Sequence, residues 1–245
     1  MAESSCIHFR SMGLCWILGL TMRNLNLKPF LFFLVGFSGL VWFVVARAIG
    51  INLKNLIDFM RPIPTVVTVD LLLVVFFMRW GWRWKHLQGW LVPFPDLNGT
   101  WQGHIQTNWK DAQGKTPGPI KVIITINQTF GRISCVMRTA EMESHSYVEG
   151  FCIDRERQIR QLCYSYMSKP KTRLRDRSTP HDGTILFNII GKPVHKLEGE
   201  YWTQRQTSGT AILTFLTKEL LDELPSDSQI RTLNKRSKYS YGEKL

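Results

Sequence analysis

The sequence lacks the residue pairs that organise metal and redox proteins. Its five cysteines, Cys6, Cys15, Cys135, Cys152 and Cys163, form no Cys-x-x-Cys pair and are odd in number. A disulfide framework and a structural zinc site are thereby excluded as the basis of the fold. Cys135, Cys152 and Cys163 read instead as small core residues in a reducing compartment. His104, His145, His181 and His195 show no metal-ligand spacing, and neither a P-loop nor a Gly-x-Ser-x-Gly elbow occurs. We therefore expect no enzyme, and assign no catalytic residue, no metal ligand and no cofactor. Acidic residues are also scarce. Asp and Glu total 19 against 31 Lys and Arg, a net charge of +12. That balance suits anionic partners: lipid headgroups, nucleotides or nucleic acid.

What the chain does have is two long apolar runs. Pro29 to Ala46 lies between Lys28 and Arg47, and Ile63 to Met78 lies between Arg61 and Arg79. A membrane helix needs roughly 20 mostly apolar residues. The first run meets this directly. The second meets it with Trp80, Trp82 and Trp84 placed at the membrane–water interface. Residues 28–86 are thus expected to form a transmembrane hairpin. Between the runs, Ile51, Leu53, Leu56, Ile57 and Met60 show partly helical spacing, as in a turn or two lying on the membrane surface.

Asp70 interrupts the second run. A carboxylate at mid-membrane is costly unless it is protonated, paired or facing water. Two readings stay open. In one, Asp70 acts in transmembrane assembly, facing another helix or a self-assembled pore. In the other, it is neutral and bonded to Ser38 or to a backbone carbonyl of the neighbouring helix. Two helices enclose no water path, so a pore requires several copies.

Arg23, Lys28, Arg79, Arg83 and Lys85 flank the outer ends of the spans, against Arg47, Lys54 and Arg61 between them. The bias places both termini in the cytoplasm. Residues 1–27 form an N-terminal lead-in. Arg10 and the apolar run after it look like a weak signal-peptide core with no cleavage site. Met22 opens a basic stretch and reads as the natural start. The alternative for residues 1–21 is a short interfacial helix.

Leu91 to Asp96, LVPFPD, marks the domain boundary. From residue 91 to 220 the pattern is alternation. Expected strands are Asn98–Lys110, Ile120–Thr129, Arg132–Ala140, His145–Ile153, Gln158–Ser168, Thr184–Ile190, Leu197–Arg205 and Thr210–Thr217. Asp182-Gly183 is a hairpin signal, and Ser208-Gly209 is a further break. Eight short strands without helices predict an all-β antiparallel meander or barrel. Residues 221–245 are polar and are expected to be a disordered tail.

Candidate binding residues follow from strand faces. Trp101, Ile105 and Trp109 share one face of the first strand, taken as the barrel interior, with Trp101 as an end plug. Arg160, Leu162, Tyr164 and Tyr166 share a face, as do Leu197, Tyr201, Thr203 and Arg205. Turned inward, Trp109, Arg160, Tyr164, Tyr166, Tyr201 and Arg205 supply aromatic faces for bases and guanidinium groups for phosphate. The alternative is tyrosines in a plain core with the arginines outside. Lys169–Arg177 is a basic loop able to cover an anionic ligand or contact lipid.

Two spans followed by Leu97-x-Gly99-x-Trp101-x-Gly103 resemble the two-transmembrane, β-strand-rich effectors associated with CD-NTases in cyclic-oligonucleotide antiphage signalling (CBASS). The resemblance covers about residues 25–220. It implies a compact eight-stranded β-barrel in the cytoplasm that binds a cyclic di- or oligonucleotide made by a CD-NTase. It further implies homo-oligomerisation of the helices, disruption of the bacterial inner membrane and death of the infected cell, with no nucleic-acid partner. The alternative is a membrane-anchored, lipocalin-like barrel for a lipid or other apolar ligand, suggested by Gly99-x-Trp101.

Overall fold

The computed structural model describes residues 28–50, 56–110, 113–154, 156–172, 179–226 and 228–233. The expectations for residues 1–27, for 51–55 between the spans and for most of the basic loop (173–178) lie outside them. The chain separates into two compact units, one within Asn24–Asp96 and the other from Leu97 onward. The boundary falls at the end of the proline-rich LVPFPD stretch.

In the first unit, α1 (Lys28–Ile49), α2 (Leu56–Met60) and α3 (Ile63–Arg79) follow one another. The segments Lys28–Ile49 and Leu56–Arg79 are both long and apolar enough to cross a membrane. Their large side chains point outward. Phe32 is 79% exposed and Leu72 65%, as expected of helices whose solvent is hydrocarbon. Pro62 and Pro64 begin α3, where a missing N–H costs nothing. Phe30 packs on Phe77 at 5.5 Å, and Trp42 packs on Phe59 at 4.8 Å. Ser38 and Asp70 meet between the helices at 2.7 Å. After α3 the three tryptophans part company. Trp80 and Trp84 are exposed beside Phe76, whereas Trp82 is buried against Phe94. Only the first two have the placement of an interfacial belt.

In the second unit, eight antiparallel strands close into a barrel in chain order. They are β1 (Gly99–Thr107), β2 (Ile120–Gln128), β3 (Ile133–Thr139), β4 (Met142–Asp154), β5 (Ile159–Pro170), β6 (His181–Ile190), β7 (Lys196–Thr203) and β8 (Ser208–Thr217). Closure is made by β1 against β8, with Gly103 opposite Leu213 and Thr107 opposite Gly209. Every strand then has two neighbours, and no long edge is left to pair with another chain. The inner face is apolar where it is deepest: Ile124, Ile126, Leu162, Phe187, Leu197 and Leu213 are fully buried.

Two turn signals are corrected. Asp182-Gly183 makes no hairpin: both residues lie within β6, opposite Met167 and Tyr166 of β5. Ser208-Gly209 likewise opens β8. The observed β4–β5 hairpin turns between Asp154 and Ile159. There the Asp154 carboxylate accepts the Arg157 N–H at 3.0 Å, and Gln158 takes a left-handed φ of 57°.

The tail, expected to be disordered from residue 221, is held to the barrel at its start. The Thr100 hydroxyl donates to the Glu219 carbonyl at 2.7 Å and accepts the Leu221 N–H at 3.0 Å. The Leu221 carbonyl in turn accepts from the Thr125 hydroxyl at 2.7 Å and from Arg138 at 3.4 Å. This strap crosses the outside of β1, β2 and β3, which explains why Ile123 and Thr125 are buried on a face that alternation turns away from the core. A helical turn at 228–233 follows.

Thr100→Val keeps the shape of this buried side chain and removes both bonds. It should destabilise the protein by about 1–3 kcal/mol, because buried backbone groups lose their partners. Limited proteolysis should then cut near Leu221 faster than in the wild type.

A tyrosine cluster at one end of the barrel

The two ends of the barrel differ in chemistry. At one end Trp101 is buried. Its indole N–H donates to the Leu97 carbonyl at 2.9 Å, and its ring stands edge-on to Phe215 at 5.2 Å. The Leu97 N–H is held by the Gln128 side chain at 2.7 Å. This end is closed by packing, and Trp101 is its plug.

The other end is built around three tyrosines. Alternation along β5 turns Leu162, Tyr164, Tyr166 and Ser168 inward, all of them buried. Cross-strand register links inward positions around the wall: Tyr164 opposes Ile185, Ile185 opposes Tyr201, Tyr201 opposes Gly209 and Gly209 opposes Thr107. Tyr164 and Tyr166 meet edge to face at 6.0 Å.

The two glycines read as turn residues make room for these rings. A Cβ on Gly183 would sit 2.6 Å from Cζ of Tyr166, and one on Gly209 would sit 2.7 Å from Cε1 of Tyr201. Glycine inside a strand often marks such a close approach. It lets each tyrosine ring pack directly against the glycine backbone of the adjacent strand.

The polar groups of this end are unevenly satisfied. The Tyr201 hydroxyl is hydrogen-bonded to Thr107. The Tyr164 hydroxyl is fully buried and has no hydrogen-bond partner among the described residues. Burial raises all three phenol pKa values, most strongly that of Tyr164, so all three are neutral donors near neutral pH. Ser168 faces Ser144 on β4 and His181 on β6. Burial lowers the His181 pKa, and Arg205 adds to this by repulsion, against opposing contributions from the Thr179 backbone and Asp182. Deeper in the wall, the Ser146 hydroxyl donates to the Glu149 carboxylate and accepts the backbone N–H of Cys135. Burial, with Glu149 nearby, pushes the Cys135 thiol up, which makes it an inert core group.

The six residues singled out from strand faces are not all brought together. Tyr164, Tyr166 and Tyr201 form the cluster. Arg205 lies beyond β7 at the rim of the same end, where its guanidinium donates to the Thr179 hydroxyl at 3.1 Å. Trp109 lies beyond the end of β1, half-exposed, with its backbone N–H on the Thr107 hydroxyl. It belongs to the rim and not to the interior face shared with Trp101, because the strand ends at Thr107. Arg160 shares the inward face of β5 but lies six residues before Tyr166, about 20 Å along the strand. Its guanidinium donates to the Gly191 carbonyl at 3.0 Å, next to the β6–β7 turn. Arg160 is therefore at the opposite end from Tyr201 and Arg205.

Ser144, Ser168, His181 and Glu149 were not singled out from the sequence. Ser168 carries the available signal, since it continues the alternation of Tyr164 and Tyr166. Ser144 falls just before the expected start of β4, and the inward position of Glu149 depends on a register shift between Ser146 and Val148.

Comparison with known proteins agrees with this architecture. No curated protein matches the chain. Residues 92–215, about half of the sequence, match the family model described as Cap15, cyclic dinucleotide receptor domain. Its span begins in the proline-rich boundary and runs into the closing strand β8. With two potential membrane spans ahead of a closed eight-stranded barrel, the chain belongs to the Cap15 family of cyclic dinucleotide receptor domains, effectors of CBASS.

Proposed function

We propose that this chain is an antiphage effector whose barrel binds a cyclic dinucleotide at the tyrosine end. Binding drives the membrane helices of several copies to assemble, the bacterial inner membrane is disrupted, and the infected cell dies. Both termini and the barrel face the cytoplasm, where a CD-NTase releases the ligand.

One observation carries the ligand reading within this family. The Tyr164 hydroxyl is a buried donor without a partner among the described residues, in a cluster of aromatic rings toward one end of the barrel. An unsatisfied buried hydroxyl costs about 1–3 kcal/mol, and a ligand acceptor returns that energy on binding. Tyr166 and Tyr201 offer faces on which a base stacks. At the rim, Arg205 offers a guanidinium to phosphate, and Trp109 offers a further aromatic surface. Arg160 takes no part, being held at the far end.

Asp70 acts at the assembly step. A carboxylate within the span is favourable only when paired, and several hairpins meeting in the membrane bring polar partners to it.

Thermal melting of the full-length protein against a panel of cyclic di- and trinucleotides tests the receptor role. One or two compounds at about 100 times their Kd should stabilise it by roughly 2.7 kcal/mol. Tyr201→Ala and Tyr166→Ala should each weaken binding about ten- to a hundredfold, the usual worth of one base–aromatic stack. Arg160→Ala should leave the affinity within about twofold. Loss of binding in Arg160→Ala alone would place the ligand at the other end of the barrel.

Asp70→Ala should bind ligand as the wild type does and kill fewer cells in a phage challenge. Undiminished killing would remove Asp70 from the assembly step.

A further inference from the structure

Within the hairpin, the mid-span carboxylate is held by its own chain. The Ser38 hydroxyl lies 2.7 Å from Oδ2 of Asp70 and 2.8 Å from the Leu34 carbonyl. Serine has one hydroxyl proton and here has two acceptors, so Asp70 shares its donor. The other carboxyl oxygen, Oδ1, is buried and has no hydrogen-bond partner among the described residues. Thr68, two residues earlier on the same helix, has its hydroxyl committed to the Pro64 carbonyl at 2.8 Å. Around Ser38, the Cβ positions of Gly36 and Gly39 have nothing within 4 Å, so the α1 backbone is uncovered there. Small residues of this kind let a second helix approach closely in a membrane.

Asp70 is thus half-satisfied, turned toward its own Ser38, on a hairpin with room for a neighbour beside it. While Ser38 holds Oδ2, the other oxygen, Oδ1, is buried within the single chain and is not offered to a neighbouring chain's donor. We infer that Ser38 is an internal restraint: it occupies Asp70 in the single chain and must release it before Asp70 joins contacts between copies. This rests on the reading that Asp70 acts in assembly and adds the residue that opposes it. The restraint is weak by design of its chemistry, since interhelical hydrogen bonds in membranes shift equilibria by about three- to twentyfold. A ligand with modest preference for the assembled state therefore suffices to overcome it.

The test uses the full-length protein in liposomes, with wild type, Ser38→Ala, Ser38→Thr, Asp70→Ala and the Ser38→Ala/Asp70→Ala double variant. Cross-linked oligomers and dye release are measured first without any nucleotide. Alanine is the best helix former, so α1 itself is not threatened. Ser38→Ala should assemble about three- to twentyfold more than wild type and leak dye unprompted. Ser38→Thr, which keeps the hydroxyl, should stay quiet, and the double variant should lose the gain. Three results overturn the inference. Ser38→Ala is as quiet as wild type without ligand. It fails to assemble with a ligand it still binds, which makes Ser38 part of the assembled contact. Or the double variant is as active as Ser38→Ala, which means that the effect does not pass through Asp70. The assembly role itself fails separately, if Asp70→Ala alone assembles and leaks normally with ligand.

Discussion

Pairing of β1 with β8 is the contact on which the receptor domain depends. Until it forms, the eight strands are a meander with two long open edges. Once it forms, each strand has its hydrogen bonds satisfied on both sides, and alternate side chains have only one place to go. Closure therefore decides the interior, and the interior is small. It is filled at the Trp101 end by packed aliphatic and aromatic side chains. At the tyrosine end, Gly183 and Gly209 leave the space that the rings of Tyr166 and Tyr201 occupy. The two ends thus differ in kind: one holds the buried Trp101 indole, and the other holds three tyrosines, with the Tyr164 hydroxyl unpartnered among the described residues.

The two units obey different physics. The barrel is stabilised by burying apolar surface away from water, so its polar groups are informative wherever they are not paired. In a membrane the helices gain nothing from hiding apolar side chains, because lipid is equally apolar. There the polar contacts and small residues decide what associates with what. The Ser38–Asp70 pair and the Tyr164 hydroxyl are thus the same kind of signal in two solvents. Each marks a group whose hydrogen bonding is incomplete in the single chain, and each has a role assigned to the partner that completes it. Under the proposed function, a ligand completes the hydrogen bonding of Tyr164 and further copies of the chain complete that of Asp70.

Much of the candidate site was legible from alternation. Tyr164, Tyr166 and Tyr201 fall on inward faces because side chains in a strand alternate strictly, whatever the strand's partners. The meeting of Asp70 with Ser38 was also anticipated as one of two readings, because a lone carboxylate in a span seeks a hydroxyl on the next helix. Arg160 was misplaced, since a shared face says nothing about depth along a strand. Gly183 was misread as a turn, since glycine permits a turn and a close approach equally well. Trp109 and Arg205 were taken as strand residues, and the strands ended two residues before them.

The sequence by itself determined the two apolar helices, the eight strands and the inward-facing aromatic residues. Each of these follows from local periodicity and from the solvent a segment needs. Only the tertiary structure decided which strands closed the barrel, which end the tyrosines occupy, that Arg160 lies at the other end, and that the segment at 219–221 straps the outer wall through Thr100 and Thr125. These depend on register and shear between segments more than a hundred residues apart. Side-chain period is the same at every register, so no local pattern records them.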